Sequence, residues 1–227
     1  GHSIFEIFNL MLSSTNSATL FGVSALPVAV EANSGERGDP RVVLVGLPDA
    51  TVKESLDRVH SSLSNGGFSL PRTRITVNLA PADLRKEGSA FDLPVALCLL
   101  ASTKQLGHDL LKEFLIAGEL GLSGELRYIK GGLSMAVLAK EQKKRGVILP
   151  VASAKEAALV DGIEVYGVDN LSQVVDFLNQ EVALDAMRPS VSLNITDKDP
   201  LYDFNEVKGQ PKLRRAVEVA VCGGHNL

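Results

Sequence analysis

The chain has 227 residues, of which 45% are hydrophobic and 22% charged, enough for one large or two small domains with a sizeable core. Tryptophan is absent and aromatics make up only 5%, so Val, Leu, Ile and Ala must build that core, which suits a sheet covered by helices. A net charge of −4 argues against binding nucleic acid over the whole surface and leaves room only for a local basic patch.

Gly1, His2 and Ser3 read as an expression tag, and residues 1–10 as a tag or N-terminal extension. Residues 20–31 read as strand material, with apolar residues recurring at Val28 and Val30, and residues 33–40 as a turn-rich break long enough for a mobile loop. Residues 41–46 form a short buried strand. Pro48-Asp49 then opens a helix with Leu56, Val59 and Leu63 on one face, and Asn65-Gly66-Gly67 stops it. Ile75, Val77 and Leu79 alternate with polar residues, the period of a half-buried strand. From Ala90 the period changes: Leu93, Ala96, Leu97 and Leu100 make the apolar stripe of a helix. Ser89 and Asp92 have the spacing of a capping box, with the hydroxyl accepting from the free amides and the carboxylate reaching back.

Residues 114–117 read as an apolar strand and residues 120–128 as a hairpin turning at Ser123-Gly124. Gly131-Gly132 leads into a helix whose end carries Lys140, Lys143, Lys144 and Arg145, cations that suit the negative end of the helix dipole. Residues 147–149 are a strand stopped by Pro150. They are followed by a helix at 154–160, a strand at 164–167 and, after the cap signal Asp169-Asn170, a helix at 171–178. Strands first and alternating helices and strands later give an α/β or α+β layer domain over residues 11–180. Residues 181–203 lose all periodicity and read as a linker. Residues 204–227 hold one amphipathic helix, with Leu213, Ala216, Val217 and Ala220 on its apolar side. A single helix cannot bury its own face, so it reads as the start of a second domain.

Strand, polar loop and helix start meet at residues 80–89, where a site is expected, because loops on a rigid scaffold carry chemistry and helix starts attract anions. Three basic groups fall along the chain: Arg72 with Arg74, Arg85 with Lys86, and the cluster from Lys140 to Arg145. Arg85 and Lys86 are the most suggestive, for phosphate contact or for salt bridging between subunits, with Asp83 and Glu87 partly offsetting them. No phosphate-binding loop of the Gly-x-x-x-x-Gly-Lys-Ser/Thr form occurs, so ATP hydrolysis by this chain alone is not expected. His2, His60, His108 and His225 are scattered without metal-site spacing, and His60 is expected at the helix surface. Cys98 and Cys222 offer neither a disulfide framework nor a metal knuckle, which fits a reducing cytoplasm. Neither a membrane-length apolar run nor a signal segment is read.

The runs Val45-Gly-Leu-Pro-Asp-Ala, Ile75 through Pro94, Val207-Lys-Gly-Gln and Gly223-Gly-His-Asn-Leu resemble the magnesium-chelatase-like AAA+ proteins of the ComM (YifB) type. The resemblance covers the chain from about Met11 onward. It implies a first domain like the proteolytic domain of Lon and the C-terminal domain of RadA, with the ribosomal protein S5 domain 2-like fold, followed by an AAA+ motor. It further implies a bacterial protein that forms a hexameric ring, uses ATP and magnesium, and drives DNA branch migration during natural transformation. Val207, Gly209 and Gln210 would then lie near the nucleotide in the intact protein. Lon-type peptidases use a Ser–Lys pair. Their motifs laid on this chain put Ala90 at the serine position and Ser134 at the lysine position, so the resemblance implies a domain without peptidase chemistry. Two rival expectations are a residual Ser89-dependent hydrolase and a protein-interaction module that never touches DNA.

Overall fold

A strand rich in hydroxyls runs through the middle of the sheet. The structure is a computed structural model that describes residues 12–36, 39–70, 73–189 and 208–225. They divide into two units, residues 1–190 and 191–227. In the first, β1 (Leu12–Phe21) turns at Gly22-Val23 and pairs antiparallel with β2 (Ser24–Glu36). Gly22 has φ +60°, a conformation that glycine adopts freely. Residues 20–31 are strand material as expected, but the chain reverses within them at Gly22-Val23, and β2 continues through Asn33 into the expected loop. β1 escapes the apolar pattern because its buried face is made of Ser13, Thr15 and Ser17. Two of these hydroxyls are spent on backbone: Ser13 donates to the carbonyl of Cys98 at 2.7 Å and Thr15 to that of Leu111 at 3.0 Å. Buried hydroxyls satisfied in this way cost little.

The remaining elements are β3 (Arg41–Val45), α1 (Ala50–Asn65), β4 (Arg74–Ala80), a 3-10 turn (Ser89–Phe91), α2 (Asp92–Ser102), β5 (Phe114–Ile116), β6 (Glu119–Leu120), β7 (Leu126–Arg127), α3 (Gly132–Glu141), β8 (Gly146–Pro150), α4 (Val151–Ala157), β9 (Glu164–Val168) and α5 (Leu171–Leu178). The seven-stranded sheet has the order β3-β4-β2-β1-β5-β8-β9. The pairs β3–β4, β1–β5, β5–β8 and β8–β9 are parallel, and β2 runs antiparallel to both its neighbours. This is a mixed α/β fold. Alternate residues along β5, β8 and β9 feed two cores. One core gathers Phe114, Ile116, Ile148 and Val168 with α1, α2 and α5, and the other gathers Leu115, Val147, Leu149 and Val165 with α3 and α4. Every residue of α2 is buried, which is why its stripe of leucines continues around the helix.

Three helix starts repay comparison. Asp49 caps α1, accepting from the Val52 amide at 2.7 Å, and Asn170 caps α5, accepting from the Gln173 amide at 2.9 Å, as the spacing predicts. Asp49→Ala should cost about 1 kcal/mol in a denaturation experiment. The expected capping box at Ser89 and Asp92 does not form: the cap position before the 3-10 turn is Gly88, and neither side chain bonds a free amide of the helix start. The helix expected at 154–160 begins earlier, at Val151 directly after Pro150, the last residue of β8, and ends at Ala157.

Three of the four cations at and after the end of α3 have partners within the domain. Lys140 donates to the Asp161 carbonyl, Lys144 donates to the Lys112 carbonyl, and Arg145 pairs with Glu164 at 3.0 Å while lying over the Phe114 ring. In the second unit, α6 (Pro211–Gly223) opens on a proline and closes on Gly224 in the left-handed region. Val207 lies outside the described residues.

Candidate functional site

The motif Val45-Gly-Leu-Pro-Asp and the loop at residues 81–89 are stitched together. Gly46 sits at φ +100°, and a Cβ there would stand 2.1 Å from the Leu79 carbonyl oxygen, so only glycine lets the chain leave β3 beside β4. The Lys86 amide then donates to the Leu47 carbonyl at 3.3 Å, and the Asp49 amide to the Lys86 carbonyl at 3.1 Å. The loop is thereby anchored across the start of α1.

This anchoring decides the fate of the two basic residues. Arg85 is exposed and pairs with the exposed Glu87 at 3.2 Å. Lys86 is 0% exposed, and its amine donates to the carbonyl of Pro81. Burial pulls its pKa below the usual lysine value, with Asp83 opposing. The two side chains therefore do not form one solvent-facing patch. Arg85 faces solvent beside Glu87, and Lys86 is held inside the domain.

At the opposite end of the loop, Asp92 is 0% exposed and forms a two-pronged pair with Arg58 of α1, at 2.7 and 3.0 Å. It also accepts from the Leu120 amide at 3.2 Å. One carboxylate thus ties α2 to α1 and to the β6–β7 hairpin. Burial raises the Asp92 pKa while the Arg58 hydrogen bond lowers it, and the net direction is upward. The sequence contained a signal for this pair: Arg58 lies on the inward face of α1 with Ser55, Val59 and Ser62, where an arginine needs a buried partner.

Ser89 donates its hydroxyl to the carboxylate of Glu119, which lies 3.8 Å from Arg127. Beside it a cleft of about 370 Å³ is lined by Ala18, Leu20, Ala90, Tyr128, Lys130 and Met135, among others. Ala90 presents only a methyl group. Ser134, on α3, points elsewhere, donating to the Val23 carbonyl at 2.7 Å. The two positions that the protease motifs marked are thus not brought together as a reactive pair, and Ser89 is paired with an acid rather than an amine. Cys98 is buried, with its thiol pushed up to about 12, so it is not a nucleophile either. His60 is exposed on α1, as expected. In the second unit Gly209, at φ +77°, and Gln210 precede α6.

The family model described as "Subunit ChlI of Mg-chelatase" matches residues 30–153, which include β3, the loop at 81–89, α2 and most of the cleft. The chain belongs to the ChlI family. Within it the similarity is to proteins of the ComM type. The chain is 41% identical over 222 residues to Competence protein ComM of Haemophilus influenzae, covering 96% of this chain and 43% of that protein. It is 38% identical over 218 residues to the uncharacterized protein YifB of Escherichia coli, covering 96% of this chain and 42% of that one. A shorter likeness, 28% over 156 residues, is to DNA repair protein RadA of Escherichia coli, covering 68% of this chain and 32% of that protein. The chain therefore spans less than half the length of the ComM-type proteins it matches. Among the described residues, no helix is long and apolar enough to cross a membrane.

Proposed function

We propose that residues 11–180 are the non-catalytic N-terminal domain of a cytoplasmic ComM-type AAA+ ATPase, joined by a linker at 181–203 to the beginning of the motor at 204–227. In the intact protein the motor would use ATP and magnesium, with Val207, Gly209 and Gln210 near the nucleotide. The N-terminal domain would help assemble a hexameric ring and guide branched or single-stranded DNA in branch migration and transformation. The observation that carries this reading is the likeness to Competence protein ComM along nearly the whole chain. The likeness to DNA repair protein RadA supports the link to DNA. The non-catalytic part rests on Ala90, and on the engagement of Ser89 with Glu119 and of Ser134 with Val23.

One observation favours a rival: Ser89 lies on the cleft wall with a carboxylate that could take its proton, the beginning of a hydrolase pair. A fluorophosphonate probe separates the two. No labelling of Ser89 in the 227-residue chain is expected, and neither a Ser89→Ala substitution nor the probe should alter the ATPase of the intact protein. Labelling at Ser89 would return the domain to the hydrolases. For the ring and DNA roles, the measurement is DNA-stimulated ATP turnover and sedimentation of the intact protein with and without residues 11–180. Unchanged assembly and unchanged stimulation would overturn the reading.

A further inference from the structure

The turn between β1 and β2 stands clear of the domain. A Cβ at Gly22 would meet no atom within 4 Å, and the side chains on either side are apolar and open to solvent: Phe21 is 72% and Val23 91% exposed. The turn is nonetheless held in place, because the Ser134 hydroxyl of α3 donates to the Val23 carbonyl at 2.7 Å. A fixed side chain loses less freedom on binding than a mobile one. Beside the turn, α3 presents Leu133 and Val137 to solvent, although Met135, Ala136 and Ala139 already supply the side that the core needs.

Between turn and helix lies a hollow of about 280 Å³, lined chiefly by Val23, Ala25, Leu133, Val137 and Leu138, with Glu141 as its one charged residue among the described ones. One apolar patch therefore holds a projecting ring and a depression side by side. Phe21, Val23, Leu133 and Val137 together expose roughly 400 Å² of surface, in the range of the largest patches on soluble proteins, which are often functional. Two such patches face to face, with a polar rim, bury about 1,000 Å², the lower bound of a specific interface. A partner that offers a hollow to Phe21 and a ring to the hollow is a second copy of the chain turned about a twofold axis, in which every contact occurs twice.

We propose that this patch joins two copies of the chain about a twofold axis, the Phe21 ring of each copy seated in the hollow between the turn and α3 of the other. Phe21 is the anchor, an aromatic side chain that fills a pocket at the centre of the contact. The small area makes the association reversible and dependent on concentration. Such a contact differs in kind from the head-to-tail ones that close a ring, so it stands or falls separately from the ring proposed above.

Sedimentation velocity of the 227-residue chain tests it, from about 1 to about 200 µM and in reducing agent because Cys222 is exposed. A reversible shift from monomer to dimer is expected. Phe21→Asp directs a carboxylate at the partner's hollow, which already holds an acid, and Val137→Lys fills that hollow with a cation, so each should weaken the dimer at least about tenfold. Mixed in equal amounts, the two variants should associate more tightly than either alone. In the mixed pair the new carboxylate meets the new ammonium, and the intact Phe21 meets the intact hollow. Phe21 and Val137 are exposed, so both variants keep the fold, which far-UV circular dichroism and the melting temperature check. A chain that stays monomeric at the highest concentration, association that Phe21→Asp leaves unchanged, as if the apolar face of α6 carried it, or variants that fail to associate when mixed would each overturn the proposal.

Discussion

Arg58→Ala should destabilise the domain by about 3–5 kcal/mol, because it leaves the buried carboxylate of Asp92 without its cation. Asp92→Ala should cost less, about 1–3 kcal/mol: Arg58 is 20% exposed and can turn to water, leaving mainly the Leu120 amide unsatisfied. The two substitutions touch one interaction, so their costs should not add. The pH dependence carries the same argument. Burial already holds the Asp92 pKa above the usual carboxylate value, and losing Arg58 removes the strongest influence pulling it down. Between the unfolded value, about 3.9, and the raised folded value, the native state holds more protons than the unfolded one, so stability from this group falls as pH rises. Arg58→Ala should therefore regain part of its loss when the pH is lowered from about 7 to about 5, as measured by urea denaturation. A loss that stays constant or deepens on acidification would mean that Asp92 is not the group left stranded.

That pair also marks the boundary of what the sequence made legible. Strands with alternating or continuous apolar residues, such as β4, β5 and β8, and helices with a local cap, such as α1 and α5, were readable because neighbouring residues determine them. β1 was not, since the partners of its hydroxyls, the carbonyls of Cys98 and Leu111, lie far along the chain. The same holds at the head of α2. Ser89 and Asp92 stand at capping-box spacing, but local spacing lost to distant partners: Glu119 takes the hydroxyl, and Arg58 with the Leu120 amide takes the carboxylate. A charge-assisted, two-pronged bond to a buried carboxylate is worth more than a cap exposed to water. The cleft was legible only as a location, the meeting of strand, loop and helix. Its outline depends on where β5 stops pairing with β1, which no local pattern encodes.

Arg85 and Lys86 are adjacent in sequence and should respond oppositely to the same substitution. Arg85→Glu should change stability by less than about 0.5 kcal/mol, since its side chain is exposed and its ion pair with Glu87 lies in water. Lys86→Glu should cost about 3–5 kcal/mol, because it places a carboxylate in a buried position that faces the Pro81 carbonyl, where two acceptors meet without a proton between them. Reversing both charges together would therefore measure unfolding rather than DNA contact, and the informative variant for a phosphate or intersubunit role is Arg85→Glu alone. Lys86→Met separates packing from charge. It keeps most of the volume and removes a buried cation, so it should be neutral or mildly stabilising near neutral pH. The sign of the pH effect follows from the lowered pKa of Lys86. Between that folded value and the unfolded one, about 10.4, the unfolded state binds more protons, so the contribution of Lys86 to stability rises with pH. Any advantage of Lys86→Met over the parent should shrink as the solution is made alkaline through that window. If the advantage instead grows, or if Lys86→Glu folds with parental stability, the lysine is not held in the interior and the loop must be returned to the surface.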